Sequence, residues 1–314
     1  MMKHLFIVNP TAGGKDSTPQ VRKMVEKAFA NREDEYEIYV TRSPMDAPGK
    51  IHAVADSCEH VRVYACGGDG TFNECVCGAA ERENVAVCPF PTGTGNDFCR
   101  MFGDEGSLFR NLEALLEGSE TPIDLINCNG RWCANICSVG IDARIGADVH
   151  KYSKLPIIGG AAGYVVSAVV NLIKGINRNM YIKSGNFYQE GKHALVCACN
   201  GRFYGGGFNP SNIARPDDGM LDLIVVKGVS LLMVPILIGR YASGRVDELP
   251  RYATHFVGTE IEIGFDEPNI VNIDGETIYT DKATIRLVKN GARLIVPKGM
   301  HFFDVKEAKA PALV

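Results

Sequence analysis

The chain has 314 residues, which is enough for about two domains of ordinary size. Hydrophobic residues make up 46% of it and charged residues 22%, a balance that excludes a fully disordered chain, a coiled coil and a collagen-like fibre. The net charge of −4 argues against a nucleic-acid partner, because proteins that bind nucleic acid usually carry a basic surface. The 34 glycines predict many tight turns, or places where the backbone comes close to a ligand.

The eleven cysteines do not follow the pattern of a disulfide framework or a zinc site. Their number is odd, and no Cys-x-x-Cys pair occurs. We interpret them as small buried hydrophobic residues in a reducing compartment. The histidines are scattered and form no His-Glu-x-x-His motif, so we expect no zinc enzyme.

No targeting segment is expected at the start of the chain. The apolar run Leu5–Val8 is too short for the core of a signal peptide. The uncharged stretch Pro156–Ile173 reaches the lower limit for a membrane span, but it contains glycines, a serine and an asparagine, so a helix within a globular domain is favoured. We therefore expect a cytoplasmic protein.

Strand and helix patterns alternate over the first 125 residues. Strands are predicted at Lys3–Val8, Tyr36–Thr41, Val61–Ala65 and Val85–Cys88, and helices at Thr18–Asn31, Ala47–Ser57, Phe72–Arg82 and Leu108–Glu117. This alternation predicts an α/β domain with a doubly wound parallel sheet, which binds its ligand at the carboxyl ends of the strands.

The second half is rich in short β patterns separated by turn signals. Strands are predicted at Met180–Lys183, Ala194–Cys199, Leu221–Val226, Glu260–Gly264, Ile270–Ile273, Thr284–Val288 and Arg293–Val296, and helices near Ala161–Ile176 and Leu231–Ser243. The pattern predicts an antiparallel β-sandwich-like domain. We place the domains at residues 1–125 and 126–305, followed by a short tail at 306–314.

Three loops rich in glycine, threonine and asparagine follow predicted strands of the first domain. They are Asn9–Lys15, Gly67–Glu74 and Pro91–Asp97. Glycines let backbone N–H groups face a bound anion, and the start of the following helix adds positive potential. The run Gly67–Glu74 matches neither a P-loop nor a dinucleotide fingerprint, and a tight turn capped by Thr71 would also explain its glycines. Because three such loops should meet at one sheet edge, we favour a phosphate-binding nucleotide site.

The same motifs resemble the diacylglycerol kinase catalytic domain in its soluble bacterial lipid kinase form. This family is related to the sphingosine and ceramide kinases and, more distantly, to the NAD kinases. The matching runs are Asn9-Pro10 with Gly13-Gly14, Gly67–Glu74, Pro91–Arg100, Ser138–Asp142, Gly205–Gly207, Arg215–Asp222 and Asp274–Glu276. They occur in order over nearly the whole chain. Asn73-Glu74 after Phe72 and the string Thr92–Phe98 are similar to the lipid kinases rather than the NAD kinases.

The resemblance implies a binding site for ATP. Its residues would be Asn9, Pro10, Thr11, Ala12, Gly13, Thr41, Gly67, Gly68, Asp69, Gly70, Thr71, Phe72, Asn73 and Thr94. It also implies that Glu276 is the catalytic residue that accepts the proton of the acceptor hydroxyl. Asp69 would be a second catalytic residue, either contacting the metal bound to the nucleotide or assisting that hydroxyl. From the residues alone, Asp274-Gly275 between two β patterns is a hairpin signal, so a plain turn stays open here.

A magnesium site is implied at Arg215–Met220. The family pattern uses the main-chain carbonyls of Arg215 and Met220 and the side chain of Asp218, with Asp124 and Asp142 as further members of a water-mediated network. Oxygen ligands of this kind suit Mg²⁺. A polar turn would also explain the run, and the metal could be structural or catalytic.

We therefore expect an ATP- and Mg²⁺-dependent lipid kinase that phosphorylates the hydroxyl of a lipid such as diacylglycerol. The alternatives are the same fold acting on a sphingoid base, ceramide, another lipid or NAD, and a non-catalytic ATP-binding regulatory module. The expected partner is a lipid at the membrane surface, reached transiently through Pro156–Ile173 or Leu231–Ile238, with Arg240, Arg245 and Arg251 near the headgroups. The resemblance also implies a homodimer.

Overall fold

The computed structural model describes residues 2–93, 96–144 and 175–304. The helices of four or more α-helical residues are α1 Thr18–Phe29, α2 Ala47–Ala55, α3 Asp69–Ala79, α4 Asp97–Arg100, α5 Leu112–Leu116 and α6 Val234–Tyr241, with a further helical run at 141–144. Short 3-10 helices occur at Ala12–Gly14, Gly103–Arg110, Leu231–Met233 and Val246–Glu248.

The described strands form one sheet. They are β1 Met2–Val8, β2 Glu35–Val40, β3 His60–Gly67, β4 Val85–Pro91, β5 Ser119–Cys128, β6 Arg131–Cys133, β7 Ile136–Gly140, β8 Arg178–Ser184, β9 Phe187–Cys199, β10 Leu221–Lys227, β11 Ala253–Gly258, β12 Glu260–Ile273 and β13 Glu276–Val296. Their main order is β11-β10-β9-β7-β12-β13-β4-β3-β1-β2, with β5, β6 and β8 paired beside this path.

The amino-terminal part of the sheet is parallel. Strands β2, β1, β3 and β4 pair in parallel, and β4 pairs in parallel with the end of β13. Strand β3 is buried from Val61 to Gly67, as expected for a strand whose two faces are both covered. Helices α2 and α3 pack against each other and against β3, whereas α1 contacts β2 and α5. The parallel strands therefore hold the three glycine-rich loops in fixed relative positions.

The carboxy-terminal part is antiparallel. Strands β7 to β12 pair in antiparallel fashion, and β12 pairs along its length with β13. The long strand β13 joins the two parts, because Ala283 and Ile285 lie in the core of the second half whereas Leu294 and Val296 lie in the core of the first. The β-rich second half is confirmed, with its strands continuous with the first sheet.

Several predicted elements differ in extent from the structure. The predicted strands Glu260–Gly264 and Ile270–Ile273 are parts of the single strand β12, and Thr284–Val288 and Arg293–Val296 are parts of β13. The predicted helix Leu108–Glu117 was wrong in extent, because the backbone at Asn111 is extended and interrupts it. The Asn111 side chain accepts a hydrogen bond from the Ala114 N–H and so caps the start of α5.

The segments Pro156–Ile173 and most of Ala161–Ile176 lie outside the described residues, as does the tail after residue 304. In the part of the chain that is described, no helix is long and apolar enough to span a bilayer. The eleven cysteines are free thiols, and nine of them are buried, in keeping with the interpretation that they act as small hydrophobic residues.

Candidate active site

The three glycine-rich loops meet at one edge of the parallel sheet. The backbone N–H of Asn9, just after β1, donates to the carbonyl of Cys66 in β3 at 3.1 Å. The N–H of Thr92, just after β4, donates to the carbonyl of Gly67 at 3.2 Å. The loops that follow β1, β3 and β4 are therefore neighbours, as the parallel arrangement predicts.

Side chains at this edge lock the loops together. The Asn9 amide donates to Thr71 Oγ1 at 3.2 Å, and its own Oδ1 accepts from the N–H and the hydroxyl of Thr11 at 3.0 and 2.9 Å. A Cβ placed on Gly67 would lie 2.2 Å from Thr71 Oγ1, so this position needs glycine. Asn9, Thr11, Gly67 and Thr71 thus fix the shape of the loops.

Other predicted nucleotide residues that the structure describes occupy the same edge. Gly13 has a φ of 70° and packs on Gly93, with an added Cβ only 3.2 Å from the Gly93 Cα. A Cβ on Gly70 would meet no atom within 4 Å, so its backbone is open to a ligand. The Thr41 N–H donates to the Val8 carbonyl at the end of β1, at 2.9 Å. Pro10 and Ala12 lie between Asn9 and Gly13, Gly68 precedes α3, and Thr94 lies outside the described residues.

A cavity of about 430 Å³ lies between this edge and the hairpin that joins β12 to β13. It is lined by Asp69, Gly70, Phe72, Asp97, Phe98, Asn135, Asp142, Tyr204, Gly205, Gly206, Asn272, Asp274, Gly275 and Glu276. The two predicted catalytic residues, Asp69 and Glu276, therefore line one cavity although more than 200 positions separate them in the chain.

Asp69 is the first residue of α3. The pKa of its carboxyl is raised to about 6, mainly by burial and also by the neighbouring carboxylates of Asp97 and Asp274, whereas N–H donation from Asp97 and Phe98 opposes the rise. The Phe98 N–H lies 3.4 Å from Asp69 Oδ1. A carboxylate held near neutral pKa in a cavity is typical of a functional position.

We expect Asp69→Asn to stabilise the fold while it lowers activity. The folded-state pKa of Asp69 lies above its ordinary value of 3.8, so the folded state binds more protons than the unfolded state between about pH 4 and 6, and stability falls as pH rises through that window. The neutral amide removes this cost, which is about 1 to 3 kcal/mol at pH 7. Urea unfolding of both proteins at pH 5 and pH 7.5 should show a gain that is larger at pH 7.5. The control is Asp266→Asn, at an exposed aspartate, whose stability should not change. If Asp69→Asn is no more stable than the wild type, the effect of burial on Asp69 is wrong.

The hairpin at Asp274-Gly275 places Glu276. Ile273 pairs with Glu276, so the turn has two residues, and both have positive φ: 49° at Asp274 and 95° at Gly275. This is the geometry that an Asp-Gly pair favours in tight hairpins. The turn interpretation and the implied catalytic role are therefore compatible, because the hairpin sets Glu276 at the cavity wall with its side chain exposed.

Asp274 itself is an anchor for this hairpin. Its carboxylate accepts hydrogen bonds from the backbone N–H groups of Ala134, Asn135 and Ile136 at 2.7, 3.1 and 2.9 Å. It also accepts from the Asn73 amide at 3.1 Å and the Cys133 thiol at 3.1 Å. Asn73 therefore ties α3 to the hairpin through Asp274, which is a structural contact at a position that the resemblance assigns to ATP binding.

Sequence reasoning assigned no role to several residues that line the cavity. The Asp97 carboxylate accepts the Gly206 N–H at 2.7 Å and pairs with the Arg100 guanidinium at 3.0 Å. Asp97 and Gly206 lie in two runs that match the family pattern, Pro91–Arg100 and Gly205–Gly207, so the sequence could have suggested a contact between the two halves of the chain here. Asn135 and Asn272 carried no such signal, because each lies in a segment without a recognisable motif.

Asp142 belongs to the cavity. The Tyr204 hydroxyl donates to Asp142 Oδ2 at 2.8 Å and lies 2.9 Å from the Tyr241 hydroxyl of α6. Burial raises the pKa of the Asp142 carboxyl. The structure gives Asp142 a contact with Tyr204, and its participation in a metal network stays a prediction.

The cavity lining is strongly acidic. Asp69, Asp97, Asp142, Asp274 and Glu276 contribute carboxyl groups, and no lysine or arginine is found among the described residues that line it. The phosphates of a nucleotide would be repelled by such a wall unless a cation accompanied them. The charge of the lining thus fits a nucleotide that enters as its complex with a divalent cation.

The predicted magnesium loop lies apart from this cavity. Asp218 Oδ1 accepts the Met220 N–H at 3.0 Å, and Asp124 accepts the N–H groups of Gly219 and Asn290 at 2.7 and 2.9 Å. The Arg215 guanidinium pairs with Asp217 at 2.9 Å. The structure does not bring Arg215, Asp218 or Met220 into the cavity lining.

The donor set of this loop fits a hard cation in part. Asp218 supplies a carboxylate, and the carbonyls of Arg215 and Met220 are oxygen donors. Asp124 lies nearby: burial raises the pKa of its carboxyl, and the neighbouring Asp218 carboxylate adds to that rise. Within the described residues, three or more His, Cys, Asp or Glu side chains do not gather around one metal position. Mg²⁺ would therefore need carbonyl and water ligands here.

Comparison with known proteins agrees with this description. Residues 3–128 match the family described as "Diacylglycerol kinase catalytic domain", and residues 135–296 match "YegS C-terminal NAD kinase beta sandwich-like domain". Two relatives are named "Probable lipid kinase YegS-like". One, from Shewanella frigidimarina, is 26% identical over 78% of this chain and 79% of its own length; the other, from Stenotrophomonas maltophilia, is 27% identical over 84% and 87%.

The fold is also that of a solved diacylglycerol kinase from Bacillus anthracis. The two structures match with a TM-score of 0.70 over 95% of this chain and 98% of the other, at 24% identity. The sequence matches place the chain in the class of diacylglycerol-kinase-like lipid kinases. Within that class, the chain belongs to the YegS-like lipid kinase family. The resemblance seen in the sequence is confirmed.

Proposed function

We propose that this chain is an ATP-dependent lipid kinase that transfers the γ-phosphoryl group of ATP to the hydroxyl of a lipid such as diacylglycerol. One observation carries the proposal: Asp69, at the start of α3, and Glu276, at the start of β13, line the same cavity. Family membership supports the reaction class, and the geometry supports these two residues as its centre.

The glycine-rich edge would hold the nucleotide. The open backbone at Gly70 and the first turn of α3 offer N–H groups to the phosphates, since the locked side chains of Asn9 and Thr71 keep the loop in one shape. Mg²⁺ bound with ATP would offset the phosphate charge against the acidic wall. A second Mg²⁺ at Arg215–Met220 would have a structural role, because that loop does not line the cavity.

Glu276 would accept the proton of the attacking hydroxyl. Its carboxylate is exposed to the cavity, and the anchored turn at Asp274 restricts where it can point. Asp69 would orient the hydroxyl or the cation that accompanies ATP. Phosphoryl transfer depends mainly on positioning and electrostatics, so a rigid turn is a suitable support for the proton acceptor. We place the reaction in the cytoplasm, where ATP is supplied.

The acceptor is tested by phosphate transfer from γ-labelled ATP with Mg²⁺. Diacylglycerol in mixed micelles, a sphingoid base, ceramide, phosphatidylglycerol and NAD would be offered separately. We expect label in diacylglycerol or another lipid. Label in NAD alone would assign the chain to cofactor phosphorylation, and ATP binding without label in any acceptor would favour a regulatory module.

A further inference from the structure

The segment that leads into and forms α6 exposes large apolar side chains. The exposed fractions are 60% for Leu231, 87% for Leu232, 51% for Ile236 and 47% for Ile238. These four side chains are called the apolar patch below. No charged residue occurs between Lys227 and Arg240, and Ser230 is the only residue with a polar side chain in that stretch. Such a cluster marks an interaction site more often than a neutral surface.

The opposite face of the same helix is already used for packing. Val234, Leu237 and Tyr241 are buried in the core beneath the antiparallel strands. Helix α6 is therefore apolar on both sides, although one side faces solvent. A helix of this kind is expected either inside a protein or at a membrane interface.

Helix α6 lies beside the wall of the cavity. The hydroxyl of Tyr241, in its last turn, is 2.9 Å from that of Tyr204, which in turn donates to Asp142 in the cavity. The Asn209 N–H, at the end of the Gly205–Gly207 loop, donates to the Ala242 carbonyl at 3.2 Å. A surface that holds the apolar patch therefore also lies next to the site of the proposed reaction.

Basic residues follow the apolar patch directly. Arg240 and Arg245 share one carboxylate, that of Glu248, at 3.1 and 4.0 Å. Asp247 is engaged by His255 at 3.1 Å, and Arg251 adds a third guanidinium nearby in sequence. From position 240 to 251 there are thus three arginines but only two carboxylates, those of Asp247 and Glu248. The resulting excess of positive charge is complementary to anionic headgroups.

We propose that the apolar patch docks on a lipid bilayer and brings the cavity to its lipid acceptor. This inference rests on the proposed lipid kinase function. Four side chains offer a few hundred Å² of apolar surface, whereas a stable protein interface buries about 800 Å² on each partner. The patch is therefore small for a permanent protein interface and adequate for reversible docking of a membrane-visiting enzyme.

Vesicle binding tests the proposal. The full chain would be sedimented with vesicles made of equal amounts of phosphatidylcholine and phosphatidylglycerol. The double variant Leu232→Gln with Ile236→Gln should bind at least about tenfold more weakly, because two exposed apolar side chains no longer enter the bilayer. Tyr188→Gln is the matched control, because the Tyr188 side chain on β9 lies outside the patch and has an exposed fraction of 58%. Binding of the wild type should also fall as salt rises.

A second readout separates this inference from the proposed function. The double variant should keep wild-type activity on a water-soluble short-chain diacylglycerol and lose most of it on diacylglycerol embedded in the vesicles. Wild-type binding of vesicles by the double variant, or no sedimentation of the wild type, would overturn the docking surface. If the double variant loses a dimer in sedimentation velocity but still binds vesicles as the wild type does, the apolar patch is a surface for self-association and the docking proposal is wrong. Absent activity on both acceptors, with vesicle binding lost only in the double variant, would overturn the lipid kinase function and leave the docking surface supported.

Discussion

Replacing Glu276 with glutamine is expected to lower kcat by about 10²- to 10⁴-fold, while the Kd for ATP changes less than twofold. Glutamine keeps the size of the side chain at the cavity wall but cannot accept the proton of the acceptor hydroxyl. The glycine-rich edge that is proposed to hold the nucleotide is formed by α3 and the loops after β1 and β4, which the substitution does not touch. Steady-state kinetics and calorimetric titration with ATP measure the two quantities separately.

The control for this variant is Glu267→Gln. Glu267 is an exposed glutamate on β12, the strand paired with β13, and it does not line the cavity. Its kcat should stay at the wild-type value. An active Glu276→Gln enzyme would remove Glu276 from the proton transfer, and a large loss of ATP affinity would assign it to nucleotide binding.

Replacing Asp274 with alanine is expected to lower the free energy of unfolding by about 2 to 4 kcal/mol. The substitution leaves the N–H groups of Ala134, Asn135 and Ile136 without their acceptor, and it puts alanine at a φ of 49°. Aspartate tolerates that conformation better than alanine does. Urea unfolding measures the loss.

The two substitutions should differ in what they lose. Asp274→Ala should lower both stability and kcat, because Glu276 no longer starts from an anchored turn, whereas Glu276→Gln should leave the unfolding free energy within about 0.5 kcal/mol. Asp281→Ala, at an exposed carboxylate further along β13, is the control for loss of an aspartate from this strand. If Asp274→Ala unfolds at the same urea concentration as the wild type, the anchor role is wrong.

Much of the fold follows from local patterns. Buried apolar runs such as Val61–Ala65 and the helical spacing in α1 were sufficient to predict the parallel strands and the helices between them. The predicted break between the strands Thr284–Val288 and Arg293–Val296 was wrong, because β13 continues through it with a register shift after Val288 and an Asn290 φ of 53°. A local bulge and a turn use the same residue types, so only pairing with β5 distinguishes them. The doubly wound arrangement, the boundary at residue 125 and the homodimer stay predictions.

The site was predictable where motifs carry their own geometry. Gly67–Thr71 and Asp274–Glu276 each fix a turn by local backbone preference, so the sequence marks them directly. The contacts that unite them are not local. Asn73 reaches Asp274 across 201 positions, and Asp97 reaches Gly206 across 109. Such pairs depend on how the sheet closes, and no single segment contains that information.

The proposed lipid kinase activity is tested most directly by incubating the wild-type protein with γ-labelled ATP, Mg²⁺ and vesicles of a total bacterial lipid extract, then separating lipid from water-soluble products. No acceptor needs to be chosen beforehand. We expect label in the lipid fraction with the wild type and a loss of at least about 10²-fold with Glu276→Gln. Label that stays in ATP or appears only as inorganic phosphate, while ATP binding is intact, would contradict a lipid kinase built on Asp69 and Glu276.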